Sequence, residues 1–260
     1  MTNSLQIIAD SLTSGTKKYE FVPEDTVSTL DGKTLTRIKA LVAIPFHNVK
    51  IGDLGGYLES DKNLSHEGDC WVGGNAKVYD DARVSGNAFV YGDAKVSENA
   101  TVFGNAKVFG DAKVSGNARV SGNAQVSENA MVSGTALVLG KAQVYGDARV
   151  YGNAQVYGNA RVLGNVFVYG NTKVSENATV FGNAGVSGAA MVSGNAQVYG
   201  DAQVFGNARV YGDALVSGNA RVYGYAKVHG SAEVTGNAKV SGNAKVSGNT
   251  EVEGTKKISK

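Results

Sequence analysis

The sequence is poor in several residue types on which other architectures depend. Among 260 residues it holds 2 Pro, 1 Cys, 1 Trp and 3 His, against 35 Gly. The single cysteine, Cys70, excludes an intramolecular disulfide framework and is compatible with a reducing compartment. High glycine with little proline fits neither collagen nor a proline-rich linker. No run of 18 apolar residues occurs, so no transmembrane helix is predicted.

What the chain does contain is one short repeat. Val stands at every sixth position from Val72 to Val252, which gives 31 units without a slip. Two residues before each Val the residue is Ala in 27 units, and four before it is Gly in 27 units. Three before, it is Asn or Asp in 26 units. The unit is therefore Gly-Asn/Asp-Ala-x-Val-x, and a fixed short period of this kind predicts a solenoid.

The residue types of the unit explain why the chain winds into coils. In Ala-x-Val, Ala and Val point to one side of a short strand and x to the other, because side chains alternate along a strand. Gly and Asn then form a corner, since both tolerate positive φ at low cost. Three units per coil, stacked at about 4.8 Å with parallel ladders, predict about ten coils. We therefore predict an all-β fold with a single parallel β-solenoid, wound as a left-handed three-sided β-helix. A two-sided roll of 12-residue coils is the alternative.

The pattern resembles the hexapeptide-repeat left-handed β-helix family, in which an aliphatic residue is followed four residues later by a small one. Val72 and Ala76 show this spacing, and the segments SENATV at Ser97–Val102 and Ser175–Val180 look like family repeats. The resemblance covers roughly 70% of the chain, from Val72 to Val252. One departure is the nearly fixed Gly at the second position after each Val, where the family varies.

Both ends depart from the repeat. Alternating apolar residues on either side of Asp31-Gly32 predict a β-hairpin. A solenoid needs a cover over its first coil, so we assign residues 17–65 to an N-terminal β-hairpin cap and residues 66–254 to the solenoid. Residues 1–16 are expected to be a flexible N-terminus. Lys256 falls in an Ala position, and a lysine in so narrow a core is unfavourable, so residues 255–260 are expected to fray into a charged C-terminal tail.

The leader, with KYEF followed by GDLGGYLES, is similar to that of hexapeptide-repeat proteins encoded by phages and prophages. This resemblance implies a phage or prophage origin and no particular mechanism. Residues 1–19 lack a basic start followed by a long apolar run, so no secretory signal is predicted. We expect the protein in the cytoplasm of the host cell or associated with a virion.

Members of the resembled family include acyltransferases and zinc-dependent carbonic anhydrases, both with histidine at a subunit seam. His47 and His66 lie in or beside the predicted cap, far along the chain from His229, so three imidazoles are not expected at one metal. His229 follows Val228 and is expected to be an exposed residue rather than a catalytic base. We predict no catalytic residue, no cofactor and no metal, with an active or degenerate acyltransferase kept as an alternative.

Residues 18 apart stack vertically if each coil has three units. The outward residue before each Val then forms three stripes, two of them basic and one nearly neutral. The neutral stripe contains Trp71, Phe89, Lys107, Gln125, Gln143, Arg161, Thr179, Gln197, Leu215, Glu233 and Glu251. Exposed apolar rows often mark binding surfaces, whereas the competing interpretation is that aromatic rings stack along the ladder and stabilise the sheet. The predicted interaction surface is Trp71, Phe89, Tyr91, Phe109, Tyr145, Phe181 and Tyr199.

On these grounds we predict a non-enzymatic function: a rigid solenoid whose flat faces bind a protein partner or a second copy. Nucleic acid is not expected, because corner aspartates offset the basic stripes, and no membrane contact is expected. A phage counter-defence protein that sequesters a host protein or signal is the second hypothesis. The cap would then supply recognition, and Lys50, Asp53, Tyr57 and Glu59 are the candidate residues.

Overall fold

The chain folds into three parallel sheets that share one core. A computed structural model describes residues 17–259, so the predicted flexible segment 1–16 and Lys260 lie outside the described residues. The described residues are strands and corners with two short 3₁₀ helices, Pro45–His47 and Asp61–Asn63. None of their helices is long and apolar enough to cross a membrane.

The three sheets are named face A, face B and face C, with 14, 10 and 11 strands respectively. Face A begins with β1 (Tyr19–Ser28), β2 (Thr34–Ala40) and β3 (Leu54–Leu58) and continues through Lys77–Val78, Lys95–Val96, Lys113–Val114, Met131–Val132, Arg149–Val150, Phe167–Val168, Gly185–Val186, Gln203–Val204, Arg221–Val222, Lys239–Ser241 and Lys257–Ser259. Face B comprises Arg83–Val84, Thr101–Val102, Arg119–Val120, Leu137–Val138, Gln155–Val156, Lys173–Val174, Met191–Val192, Arg209–Val210, Lys227–Val228 and Lys245–Val246. Face C comprises Trp71–Val72, Phe89–Val90, Lys107–Val108, Gln125–Val126, Gln143–Tyr145, Arg161–Gly164, Thr179–Gly182, Gln197–Val198, Leu215–Val216, Glu233–Val234 and Glu251–Val252.

The strand register confirms a parallel solenoid with three strands per coil. Val78 pairs with Val96 on face A, and each valine of faces B and C likewise pairs with the valine 18 residues on. A two-sided roll of 12-residue coils is therefore wrong. The repeated Val and Ala side chains point inward and are at most 2% exposed, as expected for a narrow core in which only small residues pack at every level. The left-handed winding stays a prediction.

The corners depend on glycine. At Gly134 φ is 70°, and a Cβ there would lie 2.8 Å from the backbone nitrogen of Gly152 in the next coil. Four carboxylic residues nevertheless occupy this corner position at φ near 60°, namely Asp80, Glu98, Glu128 and Glu176. At one of these positions a hydrogen bond offsets the cost of the positive φ: Glu176 Oε2 accepts from the Gly194 N–H of the next coil at 2.7 Å.

The N-terminal segment continues face A. Strands β1 and β2 pair antiparallel, with Tyr19 opposite Ala40 and Ser28 opposite Thr34, so the hairpin predicted around Asp31-Gly32 is confirmed. Strand β3 pairs antiparallel with β2 on one side and parallel with Lys77–Val78 on the other. The hairpin therefore occupies the edge that the first full coil would otherwise leave unpaired.

The solenoid begins earlier than the predicted boundary at residue 66. Leu58 pairs with Val78, Leu64 bridges to Val84, and both leucines are fully buried. They fill the valine positions of a first coil. The six-residue pattern does not reveal this coil, because Val72 follows Leu64 by eight residues rather than six. The predicted cap of residues 17–65 thus contains part of the solenoid.

The C-terminal end also differs from expectation. Residues Lys257–Ser259 form a strand that pairs with Lys239–Ser241, so the expected fraying at Lys256 is wrong. The physical reason is that Lys256, although it stands in an Ala position, is exposed, so its ammonium stays hydrated and carries no burial penalty.

Candidate functional site: an aromatic patch on face A

The large apolar side chains that the solenoid exposes are concentrated on one face. Five of them lie between residues 73 and 259: Met131 at 37%, Tyr151 at 36%, Phe167 at 39%, Tyr169 at 40% and Tyr225 at 63%. The first four belong to face A or to the corner that follows it, and they are named here the aromatic patch. Exposed apolar groups that cluster on one face often mark contact sites.

The local backbone differs at the coil that carries Phe167 and Tyr169. Val166 and Thr172 occupy positions that hold Ala elsewhere, and both are fully buried. At the glycines before them the corners are opened, with φ of 84° at Gly164 and 81° at Gly170 compared with 70° at Gly152. A larger residue in a close-packed interior displaces its surroundings. The coil that bears Phe167 and Tyr169 is thus adjusted to larger inward residues.

A notch lies directly beside Phe167. Its partner in the next coil is Gly185, the one glycine in the outward position before Val among the 31 units. A Cβ at Gly185 would meet nothing within 4 Å, and its φ is not in the left-handed region. A groove of about 500 Å³ results. It is lined by Tyr151, Phe167, Tyr169, Asn183, Gly185, Ser187, Gln203 and Phe205.

The groove is electrically neutral. None of its lining residues is charged. The Arg149 guanidinium lies over the Phe167 ring at 5.4 Å. Tyr151 and Tyr169 stack at 5.1 Å with ring planes 5° apart. Burial, with a contribution from Tyr169, raises the pKa of the Tyr151 phenol. The arrangement suits an uncharged apolar or aromatic group that displaces water from the rings.

The predicted interaction surface on face C is only partly accessible. Trp71 is 2% exposed because the N-terminal segment covers it, and a Cβ on Gly55 would lie 2.8 Å from its ring. Trp71 is therefore wrong as a contact residue for a partner. Phe89 is half-buried, with the imidazole of His47 stacked on it at 4.4 Å.

The other five predicted residues, Tyr91, Phe109, Tyr145, Phe181 and Tyr199, are half-buried. Tyr91 stacks on Phe109 at 4.9 Å and Phe181 on Tyr199 at 4.7 Å, and burial raises the pKa of the Tyr91 phenol. Similar stacks stand at the other corners, as in Phe205 on Tyr223 at 4.9 Å. This favours stacking along the ladder as their role, and their contact with a partner stays a prediction.

The four cap residues do not form one recognition site. Asp53 accepts a hydrogen bond from the Lys50 backbone N–H at 2.7 Å and closes the turn before β3. Tyr57 is 6% exposed and donates to Asp25 Oδ1 at 3.0 Å, while the Arg37 guanidinium lies over its ring at 4.3 Å.

The fourth cap residue, Glu59, accepts the Asp80 backbone N–H at 2.6 Å. Three of the four candidate side chains thus tie the N-terminal segment to itself or to the first coils. A recognition role for Lys50, Asp53, Tyr57 and Glu59 stays a prediction.

The histidines are held apart by separate contacts. His47 Nε2–H donates to the Asn87 carbonyl at 3.1 Å, and burial lowers its pKa. His66 accepts the Lys18 backbone N–H and contacts Asp61, and His229 stacks on Tyr211 at 4.8 Å. Within residues 17–259 no group of three or more His, Cys, Asp or Glu side chains is arranged to hold a metal.

One buried polar contact was not expected from the sequence. The Lys18 ammonium, 3% exposed as a residue, donates to Cys70 Sγ at 3.1 Å and to the Gly68 carbonyl at 3.1 Å. Burial raises the pKa of the Cys70 thiol, and Lys18 partly opposes that shift. This contact between Lys18 and Cys70 fastens the N-terminal segment to the first coil. In the sequence its only signal is a cysteine in an Ala position.

Comparison with known proteins agrees with this architecture. The family model described as YdcK beta solenoid repeat matches residues 76–92, 82–98, 112–128, 142–155, 154–170, 202–218 and 214–230, which together make up less than half of the chain. No curated protein matches the sequence. The chain is therefore a β-solenoid repeat protein, similar in seven segments to the YdcK beta solenoid repeat.

Proposed function

We propose that this protein is a non-enzymatic scaffold that binds a protein partner through the aromatic patch. The observation that carries the proposal is the coincidence of exposure and shape: Tyr151, Phe167 and Tyr169 are among the most exposed aromatic residues of the solenoid, and they border the uncharged notch at Gly185. Aromatic side chains beside a pocket are the residues that most often dominate binding energy in protein interfaces.

The architecture supports this role because it holds the patch rigidly. Along face A each coil donates backbone hydrogen bonds to the next, as from the Phe167 N–H to the Ala184 carbonyl at 3.1 Å. The inward side chains form one continuous core from the N-terminal segment to Val252. A surface that does not have to be ordered on binding loses less entropy when the partner docks.

The patch also lacks the groups that catalysis needs. Its side chains are aromatic, thioether, hydroxyl and amide groups, and no histidine or carboxylate borders the groove. A nucleophile with an adjacent base is the usual requirement for group transfer. We therefore retain the acyltransferase relationship only as an alternative, and turnover of acetyl-coenzyme A by the purified protein would favour it over the scaffold.

The biological setting remains part of the proposal. A phage or prophage protein of this shape would bind either a virion component or a host factor, and the counter-defence hypothesis is the case in which the host factor is an immune protein. The identity of the captured partner separates these settings. The binding surface is the same in each, so one set of variants serves for all.

The test uses three forms of the chain as bait in host lysate, with and without phage infection: the wild type, Phe167→Lys with Tyr169→Lys, and Phe109→Lys with Phe181→Lys. The second form carries two lysines in the aromatic patch, and the third carries two lysines at aromatic positions of the surface predicted on face C. All three should show the same circular dichroism, because the four positions are partly exposed. The thermal midpoints of both variants should fall by similar amounts, since each variant loses stacked rings.

We expect quantitative mass spectrometry to find a protein enriched on the wild type and on the face C form but lost from the patch form. Loss from the face C form alone would instead support the surface predicted from the sequence. Equal capture by all three forms would contradict both.

A further inference from the structure

The chain itself contains an exposed aromatic side chain, Tyr225, that suits the notch. Resting on the proposed function, we propose that two copies associate side by side and antiparallel, with Tyr225 of each copy inserted between Tyr169 and Phe205 of the other. The contact lies at the A–B corner, defined as the three residues that follow each face A valine.

The space between the Tyr169 and Phe205 rings is named here the slot. It arises from a gap in a column of stacked rings. The first residue of successive A–B corners is Tyr151, Tyr169, Ser187, Phe205 and then Tyr223. The first two rings stack at 5.1 Å, and the last two stack at 4.9 Å. Ser187 interrupts the column, so one face of Tyr169 and one face of Phe205 have no neighbour in it.

The width of the gap matches one ring. Tyr169 and Phe205 are two coils apart, which is about 10 Å at the usual strand spacing. A planar ring midway would therefore lie about 5 Å from each, close to the spacing of the stacks on either side of the gap. Ser187 forms the floor, and the absence of a side chain at Gly185 leaves the entrance open.

Tyr225 has the properties of the inserted ring. It is 63% exposed, more than any other aromatic side chain of the described residues. It stands where most repeats have Asn or Asp, so the corner geometry does not require it. It also lies on the same A–B corner as the slot, two coils beyond Ser187.

In the proposed dimer a two-fold axis passes through the corner at Phe205-Gly206-Asn207 and relates the two copies. Ser187 precedes this level by one coil and Tyr225 follows it by one coil, so an antiparallel copy brings each Tyr225 to the level of the other's slot. Both contacts then form at once, as a self-complementary interface requires. The glycine at the axis lets the two backbones approach closely.

The charge pattern favours a second copy over a charged ligand. From residue 151 to residue 243 the A–B corner carries no charged side chain; its six triplets are YGN, YGN, SGA, FGN, YGY and SGN. Two identical chains with net charge +2 each can meet there without burying like charges. A nucleotide or nucleic acid would place phosphate against a groove that has no cation among its lining residues.

Sedimentation velocity over a range of concentrations tests the inference with two single variants. Tyr225→Asn restores the residue common at that position. Gly185→Gln places a side chain at the entrance of the slot, and its strand neighbour Gln203 shows that glutamine is compatible with the strand. We expect a concentration-dependent dimer for the wild type and monomers for both variants. The matched controls Tyr157→Ser and Met191→Gln, on other corners and faces, should keep the dimer.

Mixing the two monomeric variants sharpens the test. Gly185→Gln retains Tyr225, and Tyr225→Asn retains the slot, so one of the two contacts forms in the mixed pair and association should partly return. A dimer that survives in both variants would overturn the inference, and so would two variants that fail to associate when mixed. A wild type that stays monomeric, while the patch variant still loses a captured protein, would refute self-association and leave the proposed function intact.

Discussion

Two stretches of the same solenoid, residues 73–162 and residues 163–228, obey the repeat to different degrees. In the first, every inward position is Val or Ala, and the departures lie at corners. In the second, Val166 and Thr172 enter the core, Gly185 replaces an outward side chain, and Tyr225 replaces a corner Asn. The three most exposed aromatic residues of the solenoid, Phe167, Tyr169 and Tyr225, all belong to the second stretch.

The comparison distinguishes residues that the fold requires from surface residues that it does not require. A solenoid is stabilised by the sum of nearly identical contacts between neighbouring coils, so each coil places the same demand on its residues. Departures that leave the core filled and the backbone paired, as those at Gly185 and Tyr225 do, are not required by the fold. We interpret them as belonging to the contact surface.

The largest expected contrast concerns glycine. Gly134→Val should cost about 2–4 kcal/mol of unfolding free energy, because a β-branched residue is strained at positive φ and the backbone of the next coil is in the way. Gly185→Val should change the free energy by less than about 0.5 kcal/mol, since that surface position is open. Urea unfolding followed by circular dichroism measures both. Equal losses would show that Gly185 is needed by the fold.

Opposite exchanges in the Ala position compare the two stretches directly. Ala130→Val in the first stretch should cost about 1–3 kcal/mol by overpacking. Val166→Ala in the second should also cost about 1–3 kcal/mol, because it leaves a cavity where the corner has opened around the larger residue. Thermal unfolding of both variants is the measurement. A stabilised Val166→Ala chain would mean that the second stretch is strained rather than adapted.

A smaller gain is expected at Thr172. Its hydroxyl is buried without a hydrogen-bond partner, so Thr172→Val should stabilise the chain by about 1 kcal/mol through removal of an unsatisfied polar group. Thr101→Val, whose hydroxyl is also unpaired but whose residue is half-buried, is the matched change in the first stretch and should gain less. A loss of stability at Thr172 would indicate a bound water or a partner for the hydroxyl.

The smallest effect concerns ionisation in the patch. The Tyr151 phenol has its pKa raised above the ordinary value of 10.0 by burial and by the neighbouring Tyr169. A group whose pKa is raised by folding contributes stability below its unfolded pKa, and this contribution is lost as the pH rises through the folded pKa. Tyr169→Phe should lower the pKa of Tyr151 in an ultraviolet titration referenced to Tyr151→Phe. The same change should leave the Tyr91 titration in the first stretch unaltered.

The repeat region was predictable from the sequence because each coil uses only local rules. Val and Ala at a period of six fix which side chains point inward, and Gly fixes the corner, so the pairing of Val78 with Val96 follows without any long-range information. The N-terminal segment was not predictable to the same extent. The eight-residue step from Leu64 to Val72 hid the first coil, and the Lys18 contact with Cys70 joins residues that no pattern connects.

The sequence shows where aromatic residues stand on face C but not how exposed they are. Trp71 and Phe89 are covered by the N-terminal segment, which a stripe read from the repeat alone does not include. The informative signals were Gly185, the one glycine among the outward residues, and Tyr225, which stands in place of the usual Asn or Asp. A search for departures from the repeat would have found these positions, whereas their meeting at one corner needed the three-dimensional register.

The most direct measurement is the association state of a chain in which the repeat is restored at three surface positions, Gly185→Gln, Ala189→Asn and Tyr225→Asn. Each substitution introduces a residue found at the same position in many other units, so the thermal midpoint should stay at the wild-type value. We predict that this chain sediments as a monomer at concentrations where the wild type is dimeric. A restored chain that associates as the wild type does would contradict the assignment of the contact surface to the A–B corner.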